Sequence, residues 1–315
     1  MTTNSNTKEI AIGTRGSRLA IWQANHVVAL LAEHGVASRL EIITTKGDQD
    51  QSTPLPEIGD KGFFTAELDA ALIDGRIDLA VHSLKDLPTL LPEELVLVAI
   101  PPRGTPWDVL VARANEIDDL AALPKGARVG TSSLRRAAQL LATRSDLDIQ
   151  PLRGNVETRL RKLEEGEYDA IILAEAGLVR LGLVQRVSFR FALPEMTPAV
   201  GQGALGIVCS AASDLGELLR MKLNDARTEH AVAAERAFLQ RLEGGCQIPV
   251  GGYARLEGDT LHLTGCVASV DGTLVYRDSM SGSADAGERV GVLLAEWLIE
   301  KGAGRILAEL RLQKT

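Results

Sequence analysis

Cys246 stands in a loop of small residues, Leu242-Glu-Gly-Gly-Cys-Gln-Ile-Pro249. A thiol on a turn whose neighbours carry no bulk can reach into a cleft and hold a covalent group, which a thiol packed on a strand cannot. A loop cysteine with no task is the plainer alternative. The other two cysteines read as strand core: Cys209 falls in the apolar run from Gly206 and Cys266 in the alternating run from Leu261.

Far upstream, arginines gather where strand-like segments end. They occur in the turns Gly13-Thr-Arg15-Gly-Ser17, Gly130-Thr-Ser-Ser-Leu-Arg135-Arg136, Leu152-Arg153-Gly-Asn-Val-Glu-Thr-Arg159 and Ala174-Glu-Ala-Gly-Leu-Val-Arg180. In the second turn, Thr131, Ser132 and Ser133 are placed to cap a helix. Ligands of open α/β sheets sit at the carboxyl ends of strands and the amino ends of the helices that follow. These six arginines are therefore expected to line one cleft. Any one alone reads as a solvated surface charge; their repetition points to a ligand with many anionic groups, because guanidinium pairs bidentately with carboxylate or phosphate. The glycine turns match neither the phosphate-loop nor the dinucleotide spacing, which favours a polycarboxylate.

A third arrangement is Ala80-Val-His82-Ser83-Leu-Lys85-Asp86-Leu-Pro88. Asp86, beside a lysine and just past a strand end, should stay ionised and can stabilise a developing cation or relay a proton. A surface ion pair is the alternative. His82 reads as a strand-end histidine satisfied by hydrogen bonds, and the five histidines show no metal-ligand spacing, so no metal is expected. Lys61-Gly-Phe-Phe64 opens a helix; Phe64 either covers a planar ligand or joins Leu68 and Leu72 in the core.

The elements that must position these residues form two similar units. Strands at 9–13, 39–45 and 78–82 alternate with helices at 17–35 and 62–74; after the proline-rich stretch Pro101-Pro-Arg-Gly-Thr-Pro106, strands at 128–130, around 149 and at 170–173 alternate with helices at 133–143 and 156–165. Two βαβαβ units predict two doubly wound α/β domains facing each other, with chain crossings at Pro101–Pro106 and Pro194–Pro198. From Asp225 the pattern becomes a helix over 229–242, the Cys246 loop, strands at 251–256, 261–269 and 273–278, and a helix over 288–301, a small α+β domain.

Composition bounds the function. The chain has 315 residues, 45% hydrophobic but only 3% aromatic, so its cores must be aliphatic. A net charge of -8 argues against nucleic acid or an anionic membrane as partner, since both need a basic surface. Any positive site must be local. The polar start, Met1 to Lys8, lacks the pattern of a secretory signal and no segment is apolar for long enough to span a bilayer, so the expected location is the cytosol with reduced cysteines.

Taken in order, Thr14-Arg-Gly-Ser17, Lys61-Gly-Phe-Phe64, Val81-His-Ser-Leu-Lys-Asp-Leu-Pro88, Gly130-Thr-Ser-Ser-Leu-Arg-Arg136, Leu152-Arg-Gly-Asn155, Pro198-Ala-Val-Gly-Gln-Gly203 and Leu242-Glu-Gly-Gly-Cys-Gln-Ile-Pro249 closely resemble the porphobilinogen deaminase (hydroxymethylbilane synthase) family, from about Ile10 to Leu310. The resemblance implies two periplasmic-binding-protein-like (type II) domains, 1–103 with 200–221 and 104–199, and a small α+β domain, 222–315. It implies a dipyrromethane cofactor held by a thioether to Cys246. Four porphobilinogen molecules are added head to tail with loss of ammonia, and water then releases hydroxymethylbilane, in tetrapyrrole biosynthesis. Each ring brings an acetate and a propionate, which accounts for the arginines.

By the same resemblance Asp86 is the catalytic acid. Ser83, Lys85, Asp86, Thr131, Ser133, Arg135, Arg136 and Arg159 are implied to hold the cofactor; Arg15, Ser17, Phe64, Arg153, Arg159, Arg180 and Gln202 are implied to face substrate and growing chain. A monomer is implied, and no long apolar surface helix argues otherwise. At Arg103-Gly-Thr-Pro-Trp107-Asp108 the chain departs from its relatives, which usually carry an acid in place of Thr105 and a basic residue in place of Trp107, so contacts at the first crossing should differ. Glu175 is a further variable position. The competing class is a cytosolic carboxylate-binding module without catalysis, because two facing α/β domains also make solute receptors.

Overall fold

The apolar run after Glu9 forms β1 (Ile10–Thr14), every residue of which is buried. Ser17 then starts α1 (Arg18–Glu33), its Oγ accepting from the Ala20 N–H at 3.2 Å and so satisfying one of the free donors of the first turn. In this computed structural model, which describes residues 9–45, 65–114, 117–242 and 248–312, β2 (Ser38–Ile42), α2 (Ala66–Ile73), β3 (Leu79–Ser83) and β4 (Leu95–Ala99) follow.

The chain crosses and enters β5 (Asp108–Ala112), β6 (Arg128–Gly130), α3 (Leu134–Thr143), β7 (Asp148–Gln150), α4 (Val156–Glu164), β8 (Ala170–Ala174), α5 (Glu175–Arg180) and β9 (Phe189–Arg190). It crosses back into β10 (Leu205–Ser210). Two five-stranded sheets result, ordered β2-β1-β3-β10-β4 and β7-β6-β8-β5-β9. In each, three parallel strands are joined by one antiparallel to them, and that strand begins just after a crossing: β10 runs against β3 and β4, β5 against β8 and β9. The two doubly wound α/β units expected from the sequence are present. What periodicity did not reveal is these two antiparallel strands together with β4 and β9. Both faces of each sheet are aliphatic core, as the small aromatic content requires.

The remainder comprises α6 (Gly216–Leu223), α7 (Ala226–Arg241), the antiparallel strands β11 (Val250–Glu257), β12 (Thr260–Ala268) and β13 (Val275–Ser283), α8 (Gly287–Leu298) and α9 (Gly304–Leu312). Helices α7 and α8 cover the sheet through Phe238, Leu294 and Leu298, all essentially inaccessible. Two expectations need correction. Helix α7 starts earlier than 229, because Asp225 caps it by accepting from the Thr228 N–H at 2.7 Å. Strand β13 runs on to Ser283, since an edge strand tolerates the polar residues that end it. The final helix ends as expected, α8 running on through a π turn to Lys301 before Gly302 at φ 123° breaks it against Tyr276, and α9 follows. The residues that would begin the second predicted helix at Gly62 lie outside the described residues. No described helix is long and apolar enough to cross a membrane.

Candidate active site

Beyond β3 the chain makes one tight turn, Leu84–Asp86. Leu84 and Leu87, 1% and 5% exposed, plug it into the core and leave Asp86 outside and Lys85 half-buried. The Lys85 ammonium donates to Gln202 Oε1 at 3.3 Å, and Gln202 Nε2 donates to the Pro106 carbonyl at 2.7 Å. Gln202 is wholly buried and both ends of its amide are engaged; in this structure it positions Lys85 and links it to the first crossing. Burial, then the charge of Arg136, pushes Lys85 down to about 8 against the pull of Asp86 and Asp108. Ser83 Oγ accepts from Gln23 Nε2 at 2.7 Å. His82 is held at about 4 by burial and by Arg15, and its buried Nε2 has no hydrogen-bond partner among the described residues. The expectation of a fully satisfied histidine is corrected on that point.

At the start of α3, Thr131 Oγ1 accepts from the Ser133 N–H at 3.2 Å and Ser133 Oγ from the Arg136 N–H at 3.5 Å, so both hydroxyls shape the helix entry. Arg135 and Arg136 are not open cleft cations. Both are buried and converge on Asp108: Arg135 Nη1 and Nη2 donate to its two oxygens at 2.7 and 3.2 Å, and Arg136 Nε donates to Oδ1 at 2.8 Å. Burial alone would raise Asp108, but the two guanidinium groups hold it well below the usual carboxylate range. Two cations sharing one anion keep a net positive charge. Sequence reasoning missed Asp108, although a lone acid heading the apolar run Val109 to Ala112 must find a cationic partner once that run is buried.

From the second sheet, Arg159 Nε donates to the Gly154 carbonyl at 2.8 Å. Burial, then Arg136, lowers it to about 10, with Arg153 adding to the effect and Asp86 opposing it. Arg153 Nη1 is buried and has no hydrogen-bond partner among the described residues. Arg180, the last residue of α5, reaches the other sheet: its Nη2 donates to the Gly203 carbonyl at 2.7 Å, and its guanidinium lies 5.7 Å from the centre of the Trp22 ring. Arg15 is half-buried in the turn after β1, near enough to act on His82. Ser17 is committed as the α1 cap. Phe64 and Cys246 lie outside the described residues.

The structure thus brings Lys85, Arg135, Arg136, Arg153 and Arg159 within electrostatic reach of one another, with Asp86 and Asp108 as the acids named among them. Five cations among two carboxylates, one with a buried N–H that has no partner among the described residues, call for further anions. A small group bearing several carboxylates meets that need, so these residues fit a polycarboxylate ligand. No group of three or more metal-ligating side chains lies together among the described residues.

Glu175 belongs to a different network. It is 1% exposed and accepts from the Thr105 hydroxyl and the Arg190 guanidinium, so its charge is consumed at the first crossing. Trp107 packs on Tyr253 of β11, ring centres 5.2 Å apart, and Arg103 lies 5.1 Å from the centre of the same ring. Thr105 and Trp107 thus both make contacts at the first crossing.

Comparison with known proteins gives the following. A family model described as porphobilinogen deaminase, dipyromethane cofactor binding domain, matches residues 10–216, and one for the porphobilinogen deaminase C-terminal domain matches residues 230–300. A porphobilinogen deaminase from Desulforudis audaxviator is 53% identical over 309 residues, covering 96% of this chain and 98% of its own. One from Syntrophotalea carbinolica is 50% identical over 308 residues, covering 97% of each. Among solved structures, an ABC transporter periplasmic substrate-binding protein from Coxiella burnetii is similar at a TM-score of 0.44 and 14% identity, over 72% of this chain and 96% of that one.

Proposed function

The chain belongs to the porphobilinogen deaminase family, and from that premise we propose how its residues carry the reaction. It is a transferase that condenses four porphobilinogen molecules head to tail with loss of ammonia and releases hydroxymethylbilane by hydrolysis, using a dipyrromethane cofactor. When bound, the cofactor supplies the free pyrrole carbon to which the first substrate is joined. Cys246 is its attachment through a thioether; the support is the loop Leu242 to Pro249 in the sequence.

Lys85, Arg136, Arg153 and Arg159 take the carboxylates of the pyrrole rings, and Arg135 acts with Asp108 to hold Arg136. Arg15 and Arg180 stand at the same cleft for the growing chain, with Gln202 beside it, while Phe64 is assigned to substrate only by its place in the motif Lys61-Gly-Phe-Phe64; Ser17, Ser83, Thr131 and Ser133 shape the turns that hold the cations. Asp86 carries the chemistry. Loss of ammonia leaves positive charge on the substrate's pyrrole ring, which an ionised carboxylate stabilises; the ring proton displaced by carbon–carbon bond formation then needs an acceptor, and a carboxylate oxygen of Asp86 provides it. The single observation that carries this reading is one exposed carboxylate set among mutually repelling cations.

The reading divides the chain into 1–103 with 200–221, 104–199 and 222–315, a division supported by the three separate sheets. It carries with it a monomer in the cytosol, with which the unpaired, buried Cys209 and Cys266 accord. Incubation with porphobilinogen tests it: four ammonia released per linear tetrapyrrole is expected, whereas binding without ammonia would leave a carboxylate-binding module.

A further inference from the structure

Asp86 is exposed, so the backbone that bears it must aim its carboxylate. On one side that backbone is fixed by the Leu84 N–H donating to the Ala204 carbonyl at 3.0 Å and by the burial of Leu84 and Leu87. On the other side the chain leaves through Pro88, which has no N–H to anchor it. The anchor there comes from α7. Arg236 Nη2 donates to the carbonyls of Pro88 and Thr89 at 2.8 and 2.9 Å. Burial lowers the pKa of this guanidinium, and among the described residues no carboxylate raises it again. A desolvated cation bonded to two successive carbonyls is costly to keep for stability alone. Its neighbour Glu235 holds Arg103 and the Gly201 N–H, so adjacent residues of α7 grip the catalytic turn and the crossings.

We propose that Arg236 is a positioning residue for the reaction, tying α7 to the backbone that aims Asp86. This rests on Asp86 being the catalytic group. A misplacement of about 1 Å can cost up to about a hundredfold in rate, whereas loss of a surface contact costs little. Arg236→Met keeps the stem and removes the donors; Arg236→Lys returns one ammonium able to reach the carbonyls.

The test compares holoenzyme of both variants, checked for bound cofactor by intact mass, with wild type and with Asp86→Asn. Arg236→Met should keep the cofactor, lower kcat at least about tenfold and leave KM within about threefold, with Arg236→Lys recovering most of the loss. Amide exchange should quicken in residues 84–91 of Arg236→Met and not across α7. Should Arg236→Met fail to fold, Arg236→Gln, whose shorter side chain cannot span to both carbonyls, takes its place: a kcat lowered at least about tenfold with faster exchange confined to 84–91 supports the proposal. Wild-type kcat, or a loss that appears in KM or is not relieved by lysine, overturns it. If Asp86→Asn turns over normally, the catalytic reading itself fails and this proposal with it; if Asp86→Asn is inactive while Arg236→Met is normal, only the proposal fails.

Discussion

Arg103 and Glu235 form a two-pronged ion pair, Nη1 to Oε1 at 2.6 Å and Nη2 to Oε2 at 3.3 Å, with the carboxylate wholly shielded from solvent. The same carboxylate accepts from the Gly201 N–H at 2.7 Å and the Ala254 N–H at 2.8 Å. Arg103 Nε donates to the Gln202 carbonyl at 2.8 Å. One buried side chain of α7 thus gathers both crossings and β11, tying the two α/β units to the third.

Removing one partner of such a pair strands the other in a dry site. Glu235→Gln should therefore lower stability by about 3–5 kcal/mol, read from denaturant unfolding followed by near-ultraviolet circular dichroism. A change below about 1 kcal/mol would mean that the crossings are held elsewhere.

Arg153 presents the opposite case. Its buried Nη1 has no partner to lose among the described residues, so Arg153→Gln should leave the thermal midpoint nearly unchanged while raising KM for porphobilinogen about tenfold, the worth of one charge-assisted contact. An unaltered KM would remove Arg153 from the binding set.

Lys85, at about 8, loses its charge as pH rises through that value, whereas bound carboxylates pull the proton back. Acquisition of the cofactor by apoenzyme supplied with porphobilinogen should accordingly slow above pH 8. Lys85→Arg stays charged there and should flatten the profile. Parallel profiles for the two proteins would assign the effect to another group.

His82 titrates at about 4 in the folded chain against 6.5 ordinarily. Between those values the unfolded chain takes up a proton that the folded chain refuses, so stability falls as pH drops through this window, by about 3 kcal/mol when complete. His82→Gln cannot titrate and should lessen the fall in urea midpoint between pH 7 and pH 4.5. An unchanged slope would place the acid sensitivity elsewhere.

Periodicity revealed what repeats locally: β1, β3, β6 and β8 with the helices after β1 and β6, and the cap at Ser133; the cap at Ser17 appears only in the structure. It did not reveal β5 and β10, which follow proline- and glycine-rich crossings and find their partners on strands far along the chain. The cation cluster was legible because arginines recur at strand ends. Its internal balance was not, since the pairing of Arg135 and Arg136 with Asp108 exists only after the chain has crossed. The role of Glu175 was hidden for the same reason, its partners Thr105 and Arg190 being remote in sequence.

The central claim is a covalent polycarboxylate cofactor carried on Cys246 and held by this cluster. Intact mass of the protein from cells that make porphobilinogen, beside a Cys246→Ser variant, tests it most directly. The account predicts an excess equal to two pyrrole units on the first and none on the second. An excess that survives the substitution, or its absence from wild type even after porphobilinogen is added, would contradict it.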